Sequence, residues 1–123
     1  MKDKIKVLLV EDDDFLSGMY LVKFNNENFK TIIAEDGLSG IEMAKEKLPD
    51  IILLDLMLPK MNGLDVLKKL KADKVTKNIP VVILSNLNKK DKIKKGMMLG
   101  AKDYLIKAHL IPAEVVDKIK KYI

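Results

Sequence analysis

Five short apolar runs recur along this chain, and each is followed by a stretch whose apolar residues step by three and four. The runs are Ile5–Val10, Lys30–Ala34, Ile51–Leu54, Ile79–Leu84 and Asp103–Ile106. Unbroken apolar runs between turn signals read as strands buried on both faces, the pattern of a parallel sheet. The intervening stretches read as helices: one to about Asn26, one marked by Leu38, Ile41, Ala44 and Leu48, and one by Leu64, Leu67 and Leu70. The fourth carries Ile93, Met97 and Met98, and the last runs from about Pro112 through Val115, Val116, Ile119 and Tyr122. In the first, Phe15, Leu16, Met19, Tyr20 and Val22 are read as the inward face, and lysines 68, 69 and 71 of the third as outward. Five strand–helix units with right-handed crossovers predict a single doubly wound α/β domain over residues 1–123.

In that architecture every strand ends at one edge of the sheet, where open α/β sheets bind ligands. The first strand delivers Glu11 and Asp12, the third Asp55, the fourth Ser85 and the fifth Lys107. Asp55 stands out, because it follows four apolar residues and precedes a loop marked by Pro59 and Asn62-Gly63. Any of these residues alone has an ordinary reading as helix-capping charge, a turn or surface. Their placement at the ends of four strands is harder to dismiss. Two carboxylates ~4 Å apart repel by about 4 kcal/mol at an effective dielectric near 20, so a cation is expected among them. With no cysteine and one histidine, His109, the donors are oxygens, which suits Mg²⁺ better than zinc. Ser85 and Lys107 suit a phosphate, one as hydrogen-bond donor and one as point charge.

Composition removes other classes. Of 123 residues 48% are hydrophobic and 33% charged, the balance of a globular domain. The charged start, Met1 to Ile5, is not a signal peptide, and no apolar run reaches the roughly 20 residues of a membrane span. A cytoplasmic protein is expected. The net charge of +5 invites a nucleic-acid reading, with lysines 89, 90, 92, 94 and 95 as its patch. All 23 basic residues are lysine, however, and there is no tryptophan. Bidentate base readout and base stacking are both poorly served. That reading is disfavoured.

Four motifs, taken in order, resemble the receiver domains of two-component response regulators of the CheY type. They are Val-Leu-Leu-Val-Glu-Asp-Asp at 7–13 and Asp-Ile-Ile-Leu-Leu-Asp-Leu-Met-Leu-Pro-Lys-Met-Asn-Gly at 50–63, then Pro-Val-Val-Ile-Leu-Ser at 80–85 and Gly-Ala-Lys-Asp-Tyr-Leu-Ile-Lys at 100–107. The resemblance implies a flavodoxin-like (CheY-like) sheet of order 2-1-3-4-5. It implies that Asp55 is the phosphoacceptor and that Mg²⁺ (or Mn²⁺) is held by Asp12, Glu11, Asp55 and the backbone carbonyl of Met57. Ser85 and Lys107 would hold the phosphoryl group, and Tyr104 would be a switch residue responding with Ser85. A histidine kinase or histidine phosphotransfer protein would be the donor. The output would be a protein bound at the fourth helix, fifth strand and fifth helix, with the domain a monomer or a phosphorylation-dependent dimer.

Such a chain is expected to be a stand-alone signalling module rather than an enzyme, since it ends with its fifth helix. The enzyme alternative, a haloacid-dehalogenase-type phosphatase, needs a second acid two residues after the nucleophile, where this chain has Met57. Two departures from the family pattern stand out: Ala108 replaces the usual proline, with its cis bond, and Asn86 replaces a small residue. The first predicts a trans peptide with Lys107 aimed differently, the second a narrower access to Asp55. Met57 and Leu87, apolar at positions that tune phosphoryl lifetime in the family, predict slow self-hydrolysis.

Overall fold

The computed structural model describes residues 4–123; the charges at Met1–Asp3 that were weighed against a signal peptide lie outside the described residues. Five strands, β1 (Ile5–Val10), β2 (Phe29–Ala34), β3 (Ile51–Leu54), β4 (Val81–Ser85) and β5 (Asp103–Ile106), alternate with five helices. These are α1 (Asp14–Asn26), α2 (Gly37–Lys47), α3 (Gly63–Ala72), α4 (Lys90–Met98) and α5 (Pro112–Ile119), with 3-10 turns at Lys107–His109 and Lys120–Tyr122. Every strand pair is parallel, in the order β2-β1-β3-β4-β5. The expected topology is present.

Both faces of the sheet are covered, which is why the strands are apolar throughout rather than alternating. On one face Val7, Leu9, Ile51, Leu53, Val82 and Leu84 pack against Tyr20 and Phe24 of α1 and Val115, Val116 and Ile119 of α5. On the other, Leu8, Val10, Ile52, Leu54, Val81 and Ile83 meet Ala44 of α2 and Val66, Leu67 and Leu70 of α3. Each fully buried side chain of this size contributes about 1.5–3 kcal/mol. The interior of the sheet is therefore its most strongly held part. The register Val10↔Leu54 and Leu54↔Ile83 then sets the ends of β1 and β3 flush, with β4 running two residues further to Ser85.

Helix starts are fixed by side-chain acceptors for backbone N–H groups that have no partner inside the helix. Asp13 accepts from Leu16 N (3.1 Å), Asp36 from Ser39 N (2.8 Å) and Asn62 from Asp65 N (3.1 Å). Helix α4 has no such cap. At its far end Gly100 takes φ +111°, a conformation glycine adopts without steric cost. Pro80 sits just ahead of β4, where its carbonyl accepts from Ile52 N (2.9 Å) and its missing N–H costs nothing.

Three helix faces differ from the sequence reading. In α1 the buried stripe is Ser17, Tyr20 and Phe24, while Phe15, Val22 and Met19 face outward at 79%, 63% and 38% exposure. In the core the ring of Tyr20 stacks on Phe24 at a centroid distance of 5.9 Å, and Phe24 meets Phe29 in a tilted contact at 6.1 Å. That aromatic cluster sets the helix rotation. In α2 the core side is Gly37, Gly40 and Ala44, with Leu38 and Leu48 exposed. There, glycine lets the helix approach until Gly40 lies against Val10. In α4 only Gly96 is buried, and Met97 and Met98 are exposed. Lys71 likewise turns in rather than out: its ammonium donates to the carbonyls of Lys77 (3.1 Å) and Ile79 (2.8 Å).

Candidate functional site

Strands β1 and β3 end side by side, and their last hydrogen bonds carry the pairing one residue further. Asp55 N donates to the Val10 carbonyl (3.1 Å) and Glu11 N to the Ala34 carbonyl (2.9 Å). Both acidic side chains consequently leave the sheet from fixed backbone, and both are buried, at 2% exposure for Glu11 and 5% for Asp55. One carboxylate oxygen each of Glu11, Asp12 and Asp55 lie within 4.8 Å of one another. Asp12 is exposed and stands at the cleft's rim.

The groups from β4 and β5 converge on the same carboxylate. Ser85 Oγ donates to Asp55 Oδ1 at 2.7 Å, and Met57 N donates to the same oxygen at 3.0 Å. Lys107 Nζ lies 2.6 Å from Asp55 Oδ2 and also bonds Glu11 Oε1, with its side chain only 8% exposed. The second Glu11 oxygen accepts from Asp13 N (3.0 Å). The cleft, of about 320 Å³, is lined by these acids with Leu16, Met57, Asn86 and Lys107. A larger hollow of about 480 Å³, lined in part by Asp14, Glu35 and Asp36, lies between α1, β2 and α2. It holds none of the buried ion pairs, so the chemistry resides in the smaller cleft.

The electrostatics follow from counting charges. Three carboxylates and one ammonium leave a formal surplus of two negative charges, the complement of one divalent cation. Burial pushes the Glu11 carboxyl above the usual carboxylate range, and its bond to Lys107 offsets this only in part. Burial alone would lower the Lys107 ammonium, but its bonds to Asp55 and Glu11 outweigh that and hold its proton more firmly. Both shifts have one meaning. The site favours every added positive charge.

The sequence-derived residues Glu11, Asp12, Asp55, Met57, Ser85 and Lys107 are thus gathered in one place. Tyr104 stands beside them rather than among them. Its half-buried hydroxyl donates to the Leu87 carbonyl, and burial together with the nearby charge of Asp55 pushes its pKa up. The peptide bonds of the described residues are all trans, Lys107–Ala108 included. From this trans backbone the Lys107 ammonium reaches both acids. Asn86 lines the cleft as expected, but its Oδ1 also accepts from Ala108 N at 2.8 Å. That contact had no signal in the sequence, since it joins loops 22 positions apart.

Known proteins resemble this chain in sequence and fold. The family model for the response regulator receiver domain matches residues 7–120. Among curated proteins, the DNA-binding response regulator MtrA of Mycobacterium tuberculosis is 36% identical over 94% of this chain and 49% of its own length. The phosphate regulon transcriptional regulatory protein PhoB of Escherichia coli is also 36% identical, over 94% of this chain and 50% of its own. The chain spans about half the length of these relatives. Among solved structures, the receiver domain of Francisella response regulator 1452 superposes with a TM-score of 0.88 at 28% identity, covering 97% of this chain and 96% of the other. The Vibrio cholerae chemotaxis protein CheY4 gives 0.90 at 22% identity over 98% and 99%, a likeness of fold. Sequence, topology and the acid-lined strand ends agree: this chain belongs to the response regulator receiver domain family of two-component signalling.

Proposed function

We propose that Asp55 accepts a phosphoryl group, and that the chain signals through the resulting change in protein contacts. The observation that carries this reading is the state of Asp55 itself. It is a buried carboxylate with one oxygen on Ser85, the other on Lys107, and two further acids within 4.8 Å. In the reaction an Asp55 oxygen attacks phosphorus and forms an acyl phosphate. The bond from phosphorus to its donor breaks, either to the imidazole nitrogen of a phosphohistidine or to the acetate oxygen of acetyl phosphate. Catalysis here is positioning and charge neutralisation rather than turnover of a substrate. Lys107 pairs with the charge on the transferred group, and Ser85 moves its hydrogen bond from the carboxylate to a phosphoryl oxygen. Glu11, Asp12, Asp55 and the Met57 carbonyl would hold a hard divalent cation such as Mg²⁺. Bound there, it supplies charge neutralisation for the phosphoryl oxygens.

A phosphohistidine on a kinase or phosphotransfer protein is the donor in this reading. The receiving partner would be a protein docked on the face made by α4, β5 and α5. Once phosphorylated, Asp55 would draw Ser85 toward it, and Tyr104, tied to the same loop through Leu87, would follow. The phosphatase alternative is disfavoured because Met57, 59% exposed, offers no acid where that chemistry needs one.

Incubation with acetyl phosphate, followed by intact mass, tests the proposal. One phosphoryl group should be added with Mg²⁺, none when the metal is chelated, and none in Asp55→Asn. An unchanged mass with Mg²⁺ present would overturn it.

A further inference from the structure

Lys107 must be aimed as well as supplied. Its flexible four-carbon stem crosses to β1 and β3 from the first residue of a 3-10 turn that follows β5. The first N–H groups of such a turn have no acceptor inside it. Ala108 N finds one outside, in the Oδ1 of Asn86 at 2.8 Å. Two other bonds hold this connection: Leu110 N to the Lys107 carbonyl (3.2 Å) and Ile111 N to Glu114 Oε1 (2.9 Å). Both have donor and acceptor within the segment from the turn to α5. Of the three, the Asn86 bond alone reaches across to another strand end.

We propose that Asn86 is a positioning residue for Lys107, fixing the backbone from which its ammonium reaches Asp55. The proposal rests on the phosphoacceptor reading of Asp55. Asn86 is adjacent to Ser85, which holds the other oxygen of Asp55, and to Leu87, whose carbonyl accepts from Tyr104. Three consecutive residues thus tie the end of β4 to β3, to the Lys107 turn and to β5. The hydroxyl and the ammonium that flank Asp55 are thereby held at a fixed separation. Asn86 and Ala108 are both exposed, so water can replace the bond with little loss of stability. Direction is what it sets. Ala108 belongs to the same device, because proline at this position has no N–H to donate.

The test uses Asn86→Ala, which removes the acceptor, and Asn86→Asp, which keeps one. Proton–nitrogen spectra of the unphosphorylated protein report the Ala108 amide and the Lys107 ammonium. In Asn86→Ala the Ala108 amide should exchange at least several-fold faster and the Lys107 signal should shift or broaden. Acetyl phosphate labelling should slow by roughly five- to twentyfold, the cost of a misplaced charge at a reacting centre. Mg²⁺ affinity should stay within about twofold, because its proposed ligands are untouched, and thermal unfolding should barely move. Asn86→Asp should restore amide protection at Ala108 and the Lys107 signal, the added charge acting on the rate separately. Labelling of Asn86→Ala at the wild-type rate, or an unchanged Lys107 signal, would sink the positioning role. If the wild-type protein is not labelled at all, the phosphoacceptor reading fails. The two spectroscopic readouts still decide whether Asn86 aims Lys107.

Discussion

Glu11 and Asp55 stand at the ends of β1 and β3, neighbours in the middle of the sheet, whereas Ser85 and Lys107 stand at the ends of β4 and the edge strand β5. The acids issue from backbone that is paired up to and beyond the last strand residue. The loops after β4 and β5 are joined to each other and to the rest by single side-chain bonds: Ser85 to Asp55, Asn86 to Ala108, and Tyr104 to Leu87. Of the two helices over these strands, α5 packs Val115, Val116 and Ile119 into the core, whereas α4 is uncapped and buries one glycine. One half of the site is therefore held by backbone pairing and the other joined across its loops by side-chain bonds.

The largest test of this division removes the group that bridges the halves. Lys107→Ala leaves Glu11 and Asp55 buried together without their cation, and should cost about 3–5 kcal/mol in metal-free urea unfolding. Millimolar Mg²⁺ should restore a large part of that, because it binds the folded state at the same surplus charge. A loss below 1 kcal/mol without metal would mean that the acids are not held together as described. Two glycines then compare the halves directly. A methyl group at Gly63 would fall on the Asp55 carbonyl oxygen and the Leu56 Cα, which are backbone and cannot yield. Gly63→Ala should cost roughly 1–3 kcal/mol or more. At Gly96 the obstruction is the end of the Ile83 side chain, 2.5 Å away, which can rotate aside. Alanine also favours the helix there by about 1 kcal/mol, so Gly96→Ala should be nearly neutral in thermal unfolding. Equal costs at the two positions would erase the distinction. A modest and local effect is expected for Tyr104→Phe, which loses the bond to Leu87 at about 0.5–1.5 kcal/mol. It should speed amide exchange in the loop after β4 and leave that in β1 and β3 unchanged; exchange rising evenly across both halves would refute the division.

The division also explains what could be read from the residues. The central strands β3 and β4 were legible because burial on both faces leaves no choice but an apolar run, and a carboxylate closing such a run is conspicuous. The rotation of α1 was not. Its apolar residues are spread around the helix, so Phe15, Met19 and Val22 group in sequence with Leu16 and Tyr20, although of these five only Leu16 and Tyr20 turn to the core. The choice is made by where Phe29 lies, on another element. Lys71 was misread because a lysine stem can lie along apolar surface while its ammonium finds carbonyls. The strand-end groups of the site were legible one by one through topology. Asn86 to Ala108 was not, because a bond between two exposed loop residues leaves no pattern in composition or periodicity. Their substitutions looked like separate defects in the family pattern. In the structure they are donor and acceptor of one bond.

The span from Glu11 to Lys107, 96 residues apart in the chain yet joined by one ammonium, has a consequence for folding. Closing a loop of that length costs entropy that no local contact repays, and the bridge cannot exist before β5 has docked against β4. Until β5 docks, the acids at the ends of β1 and β3 lack their counter-charge, so the bridge between Glu11 and Lys107 is among the last contacts to form.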